Sequence, residues 1–186
     1  MKLTLLRHGD TEGSRNDLYY GAADIPVLPE SLAELHENAA RYPTAKRYFT
    51  SGMLRTEQTF RAIYGDVPHM VLPGLREMDF GDFEMRSYAQ LKDDPAFQHW
   101  ITDAEHLPCP NGESAPQVLE RSLEAIGPVL AAGEDAVCVI HGGVTSGLMM
   151  SWFGGTRYDY NPLPGTGYQI TVTDGKPVSY EKIPKE

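Results

Sequence analysis

Apolar residues along the chain fall into short continuous runs separated by helically spaced stripes, and that alternation sets out the elements. Residues 2–7, Lys-Leu-Thr-Leu-Leu-Arg, read as a buried strand. A turn-rich segment over 9–30 follows, punctuated by Gly9, Gly13, Gly21, Pro26 and Pro29. Ser31 with Glu34 matches a capping box and predicts a helix over 31–41, with Leu32, Leu35 and Ala39 on one face. The run 45–51 reads as a second strand, and Met53 to Tyr64 as a helix that carries Phe60 and Ile63 inward. A third short strand falls within 68–73. The region 75–112 is irregular, with helical pieces over 87–92 and 96–102.

Leu119, Leu123, Ile126 and Leu130 then recur at helical spacing from residue 114, and Pro128 should kink or shorten that helix. Residues 135–140 form a near-continuous apolar strand that runs into a turn and a helix. Segments 166–173 and 178–183 read as strands near a sheet edge. Strands alternating with helices predict an α/β three-layer sandwich, its central sheet largely parallel with helices on both faces. No repeat or linker interrupts the pattern, so 1–186 reads as one domain, with 75–112 inserted over the active-site face.

Composition narrows the function classes. Of 186 residues 41% are hydrophobic and 23% charged, as in a globular protein that buries a core. With 26 acidic against 16 basic side chains the formal charge is −10, which repels nucleic acid and anionic membrane as general partners. No apolar run is long enough to span a bilayer, and Arg7 and His8 cut short anything resembling a signal peptide. Cys109 and Cys138 have no metal-ligand spacing, and Cys138 within an apolar run reads as an inert buried thiol. A reduced, cytoplasmic setting is the expectation.

Candidate chemistry sits at strand exits, where open α/β sheets bind ligands. Two apolar runs end alike, Arg7-His8-Gly9 and His141-Gly142-Gly143. A third exit leads into a helix carrying Arg55 in its first turn, and a fourth leaves Glu77 on a loop. A single arginine or histidine at a strand end is ordinarily a surface residue. Two histidines at matched exits, each followed by glycine, with two arginines and a carboxylate, suit a phosphate. His36, His69, His99 and His106 lie in polar contexts and read as surface residues.

In order, the segments LLRHGDTEGS, SGMLRTEQT, LREMDFGDFEM, NGES and VIHGG resemble the successive signatures of the histidine phosphatase superfamily, in its phosphoglycerate-mutase-like branch. The resemblance spans residues 3–147. Segments 17–21 and 77–86 are most similar to the α-ribazole-5′-phosphate phosphatases of cobalamin assembly. What the resemblance implies is a metal-independent phosphomonoesterase, without a cofactor, acting on a small phosphorylated substrate. His8 would be the nucleophile, its tautomer set by a neighbour the sequence does not identify. Arg7 and Arg55 would bind phosphoryl oxygens, His141, cationic with phosphate bound, would add a donor, and Glu77 would serve as acid and then base. Ser14, Tyr20, Gly21, Met85, Arg86 and Gly142 fall at substrate-binding positions.

Departures bear on substrate choice. Ser14 stands where the family usually has asparagine, leaving Ser14, Arg15 or Asn16 to take its part. Gly13, Asp10 and Leu18 also differ, and the usual glutamine-alanine signature after residue 27 is replaced. Aromatic residues in 15–30 and 82–112 could stack on a flat base, although Phe97 and Trp100 read better as a small core. A broad phosphatase, a phosphoglycerate mutase and a non-catalytic phospholigand-binding module stand as alternatives. The sequence is silent on oligomeric state.

Overall fold

A computed structural model describes residues 1–184. Six strands form one sheet in the order β4-β3-β6-β1-β7-β8: β1 Lys2–Arg7, β3 Arg47–Thr50, β4 Met70–Val71, β6 Ala136–Ile140, β7 Gly167–Thr173 and β8 Lys176–Ile183. The first four run parallel, while β7 and β8 add an antiparallel edge beside β1. The largely parallel sandwich is as expected. A two-stranded ribbon pairs β2 (Leu18–Tyr19) with β5 (Arg86–Ser87), tying the turn-rich segment to the 75–112 region.

β1 and β6 are buried on both faces, which is why they read as apolar runs rather than as alternating patterns. Leu3, Leu5, Cys138 and Ile140 face a core that includes helices α6 (Ala115–Ala132) and α7 (Gly142–Phe153). Leu6, Val137 and Val139 face the opposite core, with Leu35 of α2 (Pro29–Glu37) and Phe60 and Ile63 of α3 (Leu54–Tyr64). Burial of each such side chain contributes about 1.5–3 kcal/mol, which fixes strand register and hence what emerges at the strand ends.

Several expectations need correction. The capping box at Ser31 does not form: α2 begins at Pro29, whose missing N–H suits a first helical position, and the Ser31 hydroxyl accepts from the Asp10 amide at 2.9 Å. That helix ends at Glu37, and Ala39–Arg41 is a separate 3-10 turn. Helix α6 runs through Pro128 to Ala132, held by the burial of Ile126 and Val129 on either side. Its inward stripe is Val118, Ser122, Ile126 and Val129, leaving Leu123 exposed. Ser122 disguises that stripe in the sequence, and it is tolerated inside because its hydroxyl donates to the Gly74 carbonyl at 3.3 Å.

The small helices α4 (Tyr88–Leu91) and α5 (Pro95–Ile101) bring Phe97 and Trp100 against Tyr19 and Phe83, a local aromatic core. His69 is no bare surface residue. It pairs with Glu57 at 2.9 Å and packs on the Phe60 ring at 4.3 Å. No helix of the described residues is long and apolar enough to cross a membrane.

Candidate active site

Register delivers the two histidines side by side. Arg7 pairs with Ile140 in the parallel β1–β6 ladder, so the next residues, His8 and His141, leave the sheet together. Their ring centroids are 5.3 Å apart at 64°, and both rings are buried. The Nδ1 of His8 lies 2.7 Å from the Gly9 carbonyl. A carbonyl only accepts, so Nδ1 carries the proton and Nε2 keeps its lone pair. Gly9 is thus the tautomer-setting neighbour, a role invisible in the sequence because every residue has a carbonyl.

His141 is held the other way round. Its Nδ1 accepts from Arg55 Nε at 3.3 Å, which leaves Nε2–H to donate to the Ser51 hydroxyl at 2.8 Å. This is a neutral ring, and a cationic His141 has to give up the Arg55 hydrogen bond. Burial first, then the Arg55 and Arg7 charges, hold His8 well below the ordinary histidine pKa. Burial, Arg55, His8 and Arg7 do the same to His141.

These shifts carry a stability prediction. A histidine lowered in the folded state lets the unfolded chain bind protons first as pH falls. Its stabilising contribution is therefore complete above about pH 6.5 and is lost below it. Each ring should cost about 1.4 kcal/mol per pH unit until its folded-state pKa is reached. Thermal melts at pH 7, 6 and 5 should show Tm falling more steeply for the wild type than for His8→Gln. Parallel slopes would mean that His8 is protonated in the fold.

Arg55 is fully buried at the start of α3. Its Nη1 and Nη2 donate to the carbonyls of Ala23 and Gly21, each at 2.8 Å, and its guanidinium lies 5.2 Å from the Tyr20 ring centroid. The loop supplying those carbonyls is itself tied down. The Glu84 carboxylate accepts from the amides of Gly21, Ala22, Ala23 and Phe80 at 2.9–3.2 Å. Gly21 has no alternative there, since a Cβ would lie 1.6 Å from the Met78 carbonyl oxygen. Arg7 donates Nη1 to the Pro162 carbonyl at 2.8 Å, while its buried Nε is without a protein partner.

Glu77 sits at the N-terminus of α7, where its carboxylate accepts from the Gly143 amide at 2.9 Å and the Met78 amide at 3.0 Å. Arg121 of α6 grips the same loop, donating to the Glu77 carbonyl at 3.0 Å while paired with Glu113 at 2.7 Å. The result is a crevice of about 400 Å³ lined by Arg7, His8, Tyr20, Glu77 and Gly142.

Other expected substrate contacts lie elsewhere. Met85 and Arg86 do not line the crevice. The β2–β5 ribbon turns them outward, Met85 to solvent and Arg86 toward Asp94 at 3.5 Å. Ser14 donates to Asp10 at 2.5 Å and caps its own turn with Thr11, Arg15 pairs with Asp10 and Glu30, and Asn16 bonds Glu12. None of the three reaches the histidines by these bonds. Sequence reading missed Ser51, Glu84, Arg121 and Arg157, the last of which also lines the crevice. For Glu113, partner of Arg121, a signal was present in NGES.

Known proteins share this chain's sequence pattern and its fold. The profile of the histidine phosphatase superfamily (branch 1) matches residues 3–179. An adenosylcobalamin/alpha-ribazole phosphatase of Salmonella typhimurium (strain LT2) is 35% identical over 156 residues, covering 78% of this chain and 76% of that one. A 2,3-bisphosphoglycerate-dependent phosphoglycerate mutase of Parvibaculum lavamentivorans is 29% identical over 169 residues, covering 80% and 78%. In structure, the chain is similar to an alpha-ribazole phosphatase from Shigella flexneri, with a TM-score of 0.87 at 24% identity over 96% of this chain and 94% of that one.

Proposed function

The chain belongs to the histidine phosphatase superfamily, and from that premise we propose that this phosphatase hydrolyses α-ribazole 5′-phosphate through a phosphohistidine on His8. The observation that carries the mechanism is the Gly9 carbonyl at His8 Nδ1, which leaves Nε2 as a nucleophile. Nε2 attacks phosphorus, the P–O bond to the alcohol breaks, and Glu77 gives that oxygen its proton. Water then attacks phosphorus, its proton passes to Glu77, the P–N bond breaks and inorganic phosphate leaves. Arg7 and Arg55 neutralise charge on the phosphoryl oxygens, and the unpartnered Arg7 Nε is a donor of the kind such an oxygen satisfies. The substrate assignment is supported by the name of the 35% identical Salmonella relative.

Phosphate release with EDTA present, compared among α-ribazole 5′-phosphate, 3-phosphoglycerate and sugar phosphates, tests both parts. A large preference in kcat/KM for the ribazole ester is expected. Comparable turnover of the others would overturn the substrate, and bisphosphoglycerate-dependent isomerisation would indicate the mutase chemistry of the Parvibaculum relative.

The role of Glu77 has its own test at Gly143. A Cβ at that position would lie 2.5 Å from Glu77 Oε1, so Gly143→Ala must push the carboxylate off the α7 amide. Displacement of about 1 Å is worth up to about 100-fold in rate. The expected result is a fall in kcat in a protein that still melts cooperatively. Unchanged kcat would remove Glu77 from the acid–base role.

A further inference from the structure

Beyond Glu77 the crevice continues into a second cavity of about 190 Å³, set between α6 and α7. The two spaces share Glu77, Met78, Gly143 and Arg157 as common walls. Val118 and Leu119 of α6 face Val144, Gly147 and Met150 of α7 across the second space. Of its charged lining, Glu105 and His106 are exposed at the surface and Arg157 stands on the wall shared with the crevice, while the inner polar groups already have partners. The Ser122 hydroxyl donates to Gly74, and the Glu77 carboxylate accepts from Gly143 and Met78. Its inner walls, Val118, Leu119, Val144, Gly147 and Met150, are apolar, and about 150 Å³ of apolar space is enough for a benzene ring.

A packing gap between helices would explain the cavity but not what keeps it open. Gly147 lies within α7, where glycine costs about 1 kcal/mol against alanine. A Cβ there would meet only Leu119 Cδ1, at an unstrained 3.8 Å. Nothing steric demands the glycine, so a larger residue could close the space and the sequence leaves it open.

We propose that this annex seats a flat apolar ring carried by the leaving alcohol. The inference rests on the phosphatase reading above and places the three parts of the ester in order. The phosphoryl group lies at His8, the bridging oxygen at Glu77, and the ring lies between Leu119 and Gly147. Recognition of the ring is then by aliphatic and thioether surface rather than by the aromatic residues of the 82–112 region, whose faces pack largely on one another.

The experiment compares 3-phenylpropyl phosphate with n-propyl phosphate, esters of alcohols with similar leaving ability. The wild type should prefer the phenyl ester by 10-fold or more in kcat/KM. Gly147→Leu, filling the annex from α7, and Leu119→Trp, filling it from α6, should each collapse that ratio toward one, with melting curves confirming that both variants fold. A wild-type ratio near one overturns the annex while leaving the phosphatase reading intact. So does a ratio that survives both fillings. Absence of phosphate release from either ester would overturn the phosphatase reading, and the annex with it.

Discussion

Replacement of His8 by alanine should lower phosphate release by roughly 10⁴-fold or more, since loss of a covalent nucleophile removes the route itself. The ring is 2% exposed, its Nδ1 proton is fixed on Gly9, and it shares the crevice with Arg7, which has no nucleophilic atom to take over its Nε2. His141 is the nearest alternative, but its Nδ1 accepts from Arg55 and its Nε2 proton goes to Ser51. Protein quenched in alkali during turnover of labelled substrate should carry alkali-stable, acid-labile phosphate in the wild type and none in the variant. A His8→Ala protein that keeps most of its turnover would refute the phosphohistidine route, and a wild type that binds phosphate without turning over any ester would point to a binding module.

Replacement of Arg55 should do two kinds of damage at once. Alanine removes the cation proposed to neutralise the phosphoryl oxygens, an effect of about 100- to 1000-fold by analogy with lost transition-state donors. It also strands the carbonyls of Gly21 and Ala23 and the Nδ1 of His141, of which the Gly21 carbonyl and the His141 nitrogen are buried. Each stranded group costs about 1–3 kcal/mol, partly offset because a buried cation is removed as well. The expected net loss is therefore a few kcal/mol, read as a lower urea midpoint. Lysine keeps the charge but cannot span three acceptors in one plane, so Arg55→Lys should recover less than a tenth of the lost activity. A loss of kcat/KM with an unchanged urea midpoint would show that Arg55 acts on substrate alone and does not hold the loop.

The legible parts of the fold are those where burial leaves a pattern in side-chain chemistry. β1 and β6 could be read because both faces of each are covered, and the histidines at their ends stood out against the apolar runs. Glu77 was found through its motif. Its neighbour Gly143 gave no reason of its own until the carboxylate was seen against its amide. Backbone partners account for most of what stayed hidden, including Gly9 setting a tautomer and Glu84 gathering amides. Met85 and Arg86 were placed at the substrate by motif alone, whereas a two-residue ribbon decides their direction, and strands that short carry no periodicity. Arg157 lies in a 3-10 turn after α7, where a lone charge looks like any solvated side chain.

The clasp of Glu84 on residues 21–23 also sets a timescale. That stretch belongs to no helix or strand, yet its three consecutive amides all donate to one carboxylate, and its carbonyls are held by a buried cation. In amide hydrogen exchange, Gly21, Ala22 and Ala23 should therefore behave like sheet residues, exchanging only through a cooperative opening rather than through loop fluctuation. In Glu84→Ala they should exchange at nearly the rate of a free peptide while the amides of β1 and β6 keep their protection. The rim of the active site would then melt before the protein does, with Arg55 losing its fixed aim at temperatures where the fold is still intact.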